Sequence, residues 1–270
     1  MPNPALQLTP LPNIPLVEPG DDLVELILKA LAQAGIQLLD GDILVLAQKI
    51  VSKAEGRIIN LCEISPSVQA QQLAEQSGKD PRLVELILSE SRQILRVRPG
   101  VIIVEHRLGF VCASAGIDHS NVIRPGEKQG KEPDDKPDPK PEDWVLLLPE
   151  NPDASAQAIR SRLETATGAR LGVLIIDSHG RAWRMGTEGV AIGLSGLPGL
   201  VDMRGWPDLF DFRLQITQVG VADELAAAAS LVMGQAAEGT PVVHVRGFPY
   251  PLREGALNEL LRPREQDLFR

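Results

Sequence analysis

The sequence predicts an α+β fold with mixed sheets and flanking helices. Three features point there. Asp42-Ile43-Leu44-Val45-Leu46-Ala47 and Leu171-Gly172-Val173-Leu174-Ile175-Ile176 are near-continuous apolar runs of strand length, the pattern of strands buried on both faces. Several segments begin with a capping residue and then repeat apolar side chains at helical spacing. Residues 94–98 and 101–105 flank Pro99-Gly100, which reads as two strands around a turn.

Composition bounds the rest. With 270 residues, 43% of them hydrophobic, the chain can bury a sizeable core as one large domain or two small ones. A net charge of −9 argues against a nucleic-acid backbone as partner. Anionic small substrates would need local cations or metal ions. Cys62 and Cys112 make neither a disulfide framework nor a zinc spacing, so a reducing cytoplasm is expected. The first residues lack a basic segment followed by an apolar run, so no signal peptide is expected; no apolar stretch is long enough to span a membrane.

In chain order, the Pro-rich residues 8–19 read as an extended lead-in. Gly20-Asp21-Asp22 opens a helix on which Leu23, Leu26, Ile27 and Ala30 recur, and Gly35 closes it. The strand at 42–47 runs into Gln48-Lys49-Ile50-Val51-Ser52-Lys53-Ala54-Glu55-Gly56-Arg57. Three cations just beyond a buried strand can meet phosphate or carboxylate; from these residues alone a solvated basic loop is the favoured reading. Ser65-Pro66 and Asp80-Pro81 each read as a cap plus first helical position.

The second strand of the 94–105 pair leads through Arg107 into Gly109-Phe110-Val111-Cys112-Ala113-Ser114-Ala115-Gly116-Ile117-Asp118-His119-Ser120-Asn121. Asp118 is a hard oxygen donor, and the amide of Asn121 follows three residues later; together they can hold a divalent cation and orient what binds it. A strand ending in an Asx turn explains the same residues. Residues 124–143 contain nothing that can anchor a core and are expected to form a mobile surface loop.

Order resumes at 144–148, and Asn151-Pro152 opens another helix. The strand at 171–176 is expected to end in Asp177-Ser178-His179-Gly180-Arg181-Ala182-Trp183-Arg184, a second candidate site. There Asp177 and Ser178 can bind a metal; His179 is either a base or an incidental exposed side chain. Residues 190–199 are Gly-rich and apolar, and 202–213 are irregular. A helix runs from Ala222 to Met233, followed by Gly234-Gln235-Ala236-Ala237-Glu238-Gly239-Thr240 and a strand at 241–245. The glycine spacing is that of a phosphate-cradling loop, but Thr240 stands where a Walker A lysine belongs. No dinucleotide fingerprint opens a helix.

Taken together, these pieces resemble the coenzyme F420-0:L-glutamate ligase family (F420 γ-glutamyl ligases). The likeness is carried by Gly41-Asp42-Ile43-Leu44-Val45 with Ser52-Lys53-Ala54-Glu55-Gly56-Arg57, by Gly116-Ile117-Asp118 with Ser120-Asn121, and by Leu147-Leu148-Pro149-Glu150 with Pro152-Asp153-Ala154-Ser155-Ala156. Gly180-Arg181 with Trp183-Arg184, Val190-Ala191-Ile192-Gly193, residues 221–229 and the tail from Leu261-Arg262-Pro263 to Asp267-Leu268-Phe269 extend it over nearly the whole chain except 124–143.

The resemblance implies a GTP-dependent, amide-forming ligase that activates the terminal carboxylate of F420-0 as an acyl phosphate and joins it to the amine of L-glutamate. Further γ-linked glutamates can follow. It implies Mg²⁺ or Mn²⁺, an assisting K⁺, a cytoplasmic homodimer and an unusual fold. Catalysis would rest on Asp118, Asp177 and Lys53. Asp118 and Asp177 would hold a first metal, Ser178 and Gln235 a second. Lys53, Asn121, Ile14, Pro15, Leu16, Val17, Gln48, Lys49 and the loop Met233, Gly234, Gln235, Ala236, Ala237, Glu238, Gly239, Thr240 would contact the nucleotide. Residues 1–247 would form the ligase domain, with 248–270 as a tail packing on it and no nitroreductase-like extension. Ser178 departs from the family's usual Thr, His179 from a common Phe and Ser114 from a common Asn, while the pair Gln48-Lys49 varies. A ligase for a related carboxylate or amino acid, or a non-catalytic nucleotide-binding homologue, would share much of this pattern.

Overall fold

The computed structural model describes residues 5–122 and 143–267. The charged stretch 124–143, apart from Asp143, and Leu268-Phe269 of the tail lie outside the described residues.

The two apolar runs are neighbouring strands. β2 (Ile43–Ala47) pairs in parallel with β8 (Gly172–Gly180), Ile43 opposite Gly172 and Ala47 opposite Ile176. Around them stand β1 (Gln7–Pro10), β12 (Val242–Arg246) and β9 (Thr187–Ser195), in a five-stranded sheet of order β1-β12-β2-β8-β9 whose other pairs are antiparallel. This is the mixed sheet of an α+β fold. Side chains alternate across a strand. Leu44, Leu46, Val173 and Ile175 face α1 (Leu23–Gln33) and α5 (Pro152–Thr167). Ile43, Val45, Leu174 and Ile176 face α6 (Val221–Met233). Covering both faces explains why the runs are apolar throughout.

A parallel pair needs a long crossover, and here the crossover carries a second unit. α2 (Gln48–Ala54) leads to β3 (Ile58–Asn60), α3 (Val68–Ser77) and α4 (Pro81–Ser89). An antiparallel sheet follows, of β4 (Ser91–Arg98), β5 (Val101–His106) and β6 (Val111–Ala113). Then β7 (Trp144–Leu146) pairs back onto β3. The two helices and this sheet share a third core built on Leu83, Val84, Ile87, Ile102 and Val104. Phe248, Leu252 and Leu260 from the tail pack on the α6 face of the main sheet.

Local chemistry fixes most helix ends. Asp22 accepts from the backbone N–H of Val24 at 3.0 Å and Glu25 at 3.2 Å. Asp80 and Asn151 cap α4 and α5 with Pro at the start of each. Three expectations are corrected. The cap of α3 is Ser67, not Ser65: its N–H donates to Glu85 at 2.7 Å and its Oγ accepts from Ala70 at 3.2 Å, so Pro66 stays outside the helix. Residues 48–54 form a helix rather than a basic loop, because Gln48 is only 1% exposed, Ile50 and Val51 join the core, and Ser52 Oγ donates to Gln48 Oε1 at 2.8 Å. β8 does not stop at Ile176; it continues through Asp177, Ser178 and His179 as one arm of a hairpin with β9.

Candidate active site

In open sheets with parallel strands, ligands bind beyond the carboxyl ends of those strands. Four distant stretches reach that end here. β2 runs directly into Gln48 and Lys49. Its neighbour β8 presents Asp177 and Ser178 immediately after the pair Ala47–Ile176. β12 runs antiparallel, so the 233–240 loop enters it from the same end, and Ala47 N–H donates to Pro241 O at 2.9 Å. β1 leaves at that end too: Leu11 N–H donates to Val242 O at 2.8 Å, sending 14–17 past the site.

Asp118 comes from the inserted unit. Its backbone exchanges two 2.9 Å hydrogen bonds with Leu146, holding it extended. Gly116 precedes it at φ 65°, where a side chain would be strained and would also collide with Leu148 at 2.8 Å. The carboxylate lands beside α2. Gln48 Nε2 donates to Asp118 Oδ2 at 2.7 Å, and Lys49 Nζ lies 3.3 Å from Oδ1 while also donating to Ser120 Oγ at 2.8 Å.

Lys53 lies one turn beyond Lys49, on the same helix face. Burial lowers its ammonium below the usual lysine range; Lys49 adds to that and Asp118 opposes it. No hydrogen bond or ion pair holds Lys53 Nζ among the described residues. Burial raises the Asp118 carboxyl above its usual range, Lys49 pulls it back, and the charge of Asp177 adds to the rise. Two carboxylates near enough for the charge of Asp177 to act on Asp118, with two lysines at their side, form a place for a cation and anionic oxygens together.

Asp177 and His179 share one face of β8, and Ser178 points to the other. His179 Nε2 lies 3.0 Å from Asp177 Oδ2. On the opposite face Ser178 Oγ donates to Gln235 Oε1 at 2.8 Å, and Gln235 Nε2 donates to Ser230 Oγ at 2.7 Å. Gly189, opposite Ser178, lets α6 approach so closely that a Cβ there would lie 2.6 Å from Ala226 O.

These donors suit hard divalent ions at two places: the Asp118 and Asp177 carboxylates, and, on the other face of β8, the Ser178 hydroxyl with the Gln235 amide oxygen. The 2.8 Å hydrogen bond between Ser178 Oγ and Gln235 Oε1 brings these two oxygens to one place. No group of three or more His, Cys, Asp and Glu side chains among the described residues is arranged to hold a metal ion by itself. Such an ion would therefore complete its shell with water or phosphate oxygens, as Mg²⁺ commonly does.

The structure does not draw every expected residue equally close. Asn121 is exposed at φ 58° with no hydrogen bond to Asp118 among the described residues. Of 14–17, Val17 is core and Leu16 projects outward, so the segment offers mainly its backbone. The 233–240 loop closes on itself through Thr240 Oγ1 to Met233 O at 2.9 Å and Ala236 N–H to Glu238 at 2.8 Å. Arg57 turns away, donating to both oxygens of Glu90 at 3.1 Å and to Leu148 O at 3.0 Å; it ties the two units together. His179 is no incidental surface residue: its side chain is 11% exposed, like that of Asp177. Cys112 is excluded as a nucleophile, since burial and the Asp177 charge push its thiol up to about 12. The sequence reading named Ser52 and Ser120 within motifs but gave them no role at the site, and it gave none to Ser230; Ser52, at i+4 from Gln48, left a local signal.

Two cavities lie elsewhere. One of about 470 Å³, lined by Gln7, Thr9, Gln37, His244 and Arg246, opens toward the opposite end of the sheet. Another of about 530 Å³ lies in the inserted unit by Lys79, Arg82 and His119. Neither includes Asp118, Asp177 or Lys53, and the oxygen donors mark the chemistry better than enclosed volume does.

A mixed-sheet protein that gathers carboxylates and lysines beyond its parallel strands belongs with enzymes that handle anionic substrates. Comparison with known proteins narrows that class. The model of the F420-0:Gamma-glutamyl ligase family matches residues 12–247. The chain is 52% identical over 260 residues to the coenzyme F420:L-glutamate ligase of Methanothermobacter thermautotrophicus, covering 96% of each. It is 46% identical over 271 residues to that of Methanopyrus kandleri, covering 99% of this chain and 98% of the relative. With that of Methanocaldococcus jannaschii it shares 43% identity over 260 residues, 96% of this chain and 94% of the relative. The chain belongs to the F420-0:gamma-glutamyl ligase family, and it is a ligase. No helix among the described residues is long and apolar enough to cross a membrane.

Proposed function

We propose that this protein joins L-glutamate to coenzyme F420-0 at the expense of GTP, through an acyl phosphate. The observation that carries this reading is the convergence of Asp118, Asp177, Ser178, Gln235, Lys49 and Lys53 at one end of the main sheet.

A carboxylate oxygen of F420-0 attacks the γ-phosphorus of GTP, and GDP leaves. The glutamate amine then attacks the activated carbonyl, loses a proton, and displaces phosphate. Several anions must meet in the first step, so positioning and charge neutralisation dominate. Lys49 and Lys53 supply fixed positive charge on one side. Asp118 and Asp177 would hold one Mg²⁺ or Mn²⁺, Ser178 and Gln235 another, and the ions would neutralise charge developing on the phosphoryl oxygens. K⁺ is an assisting ion in this reading. Backbone groups of 14–17 and 233–240, with Gln48 and Asn121, border the space for the nucleotide. The buried, protonated Cys112 leaves no thiolate to compete as an acyl carrier.

The same reading includes a cytoplasmic homodimer. Its support is the excursion between β10 (Val201–Asp202) and β11 (Gln218–Val219), where Leu209 is 97% and Phe210 89% exposed, with Trp206, Phe212 and Ile216 beside them. Such a cluster is expected to be covered by a second copy. Light scattering of Leu209→Ser/Phe210→Ser should then show monomers; an unchanged mass would remove that support.

The test of the reaction is direct. Pure protein with F420-0, glutamate, GTP and Mn²⁺ should yield a product heavier by one or more glutamyl units. Heavy oxygen placed in the F420-0 carboxylate should appear in the released phosphate. Unlabelled phosphate would exclude the acyl-phosphate route.

A further inference from the structure

His179 holds a position that the proposed chemistry does not use. It lies two residues from Asp177 on the same face of β8. A carboxylate can only accept, so the 3.0 Å contact places a proton on His179 Nε2, donating to Asp177 Oδ2. Among the described residues no hydrogen bond occupies Asp177 Oδ1. Both side chains are 11% exposed, so water competes little for this bond.

The imidazole is itself braced. Phe110 packs against it with ring centroids 5.2 Å apart and planes tilted by 51°. Phe110 in turn stacks on His106 at 5.1 Å with planes within 6°. His106 is fully buried, and its Nδ1 accepts from Leu108 N–H at 3.0 Å, which fixes that ring. The column runs from the inserted unit to the main sheet and ends on one oxygen of one carboxylate. Aromatic contacts of this kind define a ring's place but make no demand on a carboxylate; the Nε2 donor adds that.

We propose that His179 is a positioning residue for Asp177: it pins Oδ2 by its hydrogen bond and presents Oδ1 to a divalent cation. This rests on the reading of Asp177 as a metal ligand given above. Partners that orient ligating groups are commonly worth about 10–100-fold in metal affinity.

The test measures Mn²⁺ binding by electron paramagnetic resonance on the full chain, alongside thermal unfolding without metal. His179→Phe keeps a ring against Phe110 but loses the donor. His179→Gln places an amide N–H near the former Nε2. Asp177→Asn removes the charged ligand. The expected result is about tenfold or more weaker Mn²⁺ binding in His179→Phe, most of it restored in His179→Gln, with both unfolding near the wild-type temperature. Wild-type affinity in His179→Phe, with Asp177→Asn defective, overturns the positioning role alone. Equal loss in His179→Phe and His179→Gln also overturns it, since the donor would then not be what matters. Wild-type affinity in Asp177→Asn overturns the metal reading beneath it.

Discussion

Asp118 and Asp177 lie at the same end of the main sheet but are held in contrasting ways. Asp177 sits within a long strand of the main sheet, between Ile176 and Ser178, and its carboxylate meets the imidazole of His179. Asp118 stands in a short extended bridge of the inserted unit, and its carboxylate meets a lysine and an amide. Backbone pairing over nine residues of β8 makes Asp177 a fixed reference. Asp118 depends on how the inserted unit docks, and therefore on contacts such as Arg57–Glu90. The contrast suggests a division of labour. In the proposed mechanism the sheet would supply a rigidly held ligand, and the insert one that Lys49 and Gln48 already contact.

Breaking either carboxylate should have the largest effect. Asp177→Asn and Asp118→Asn should each lower turnover by about 10³-fold or more, the scale of a lost charge-stabilising element in phosphoryl transfer, with the fold intact by circular dichroism. Wild-type turnover of Asp118→Asn at saturating Mn²⁺ would remove Asp118 from the metal.

On the Asp177 side, the brace should show in acid. Burial lowers the pKa of His106 to about 4 from an ordinary 6.5, outweighing the attraction of Glu90. Between those values the unfolded chain binds a proton that the folded protein refuses, so stability rises with pH and is lost as pH falls from 6.5 toward 4. The full span is on the order of 3 kcal/mol. Denaturant unfolding from pH 4.5 to 7 should show this slope, and His106→Phe should flatten it.

The docking of the insert can be broken separately. Arg57→Met leaves the buried Glu90 with Arg107, at 2.8 Å, as its one remaining cationic partner among the described residues. A loss of about 2 kcal/mol in denaturant stability is expected, with turnover falling in parallel as Asp118 loses its register. A variant that is destabilised yet fully active would show that Asp118 is positioned without this tie. The smallest effect should come from Gln48→Leu, which touches Asp118 but not Asp177. It should raise the Mn²⁺ concentration needed for half-maximal rate by about tenfold and leave kcat within a few-fold.

Much of this was legible in sequence. Residues 43–46 announce a strand buried on both faces because every one of them is apolar, and Asp22, Asp80 and Asn151 mark helix starts because capping is local chemistry. Asp118 and Asp177 stood out as acids among small or apolar residues. Other residues gave no such sign. The α2 segment carries only Ile50 and Val51 as consecutive apolar residues, too few to display a helical period. Its helix is stabilised by burial of Gln48 and by the Gln48–Ser52 pair, which propensity does not reveal. His179 reads as a polar residue past a strand until Phe110, 69 positions earlier, is seen against its ring.

What the sequence determined by itself is local: which runs are strands, where helices begin, which side chains can donate oxygen, and that a net-acidic chain needs cations near anionic substrates. Tertiary structure decided which of those donors meet. Gln48 and Asp118 lie 70 positions apart, and Ser178 and Gln235 lie 57 apart. Their encounter follows from β2 and β8 being parallel neighbours, from the crossover carrying Asp118 back to the carboxyl end of that pair, and from α6 packing closely over Gly189. Strand pairing and helix docking are set by burial of whole faces, summed over many side chains. No short stretch of sequence contains that sum.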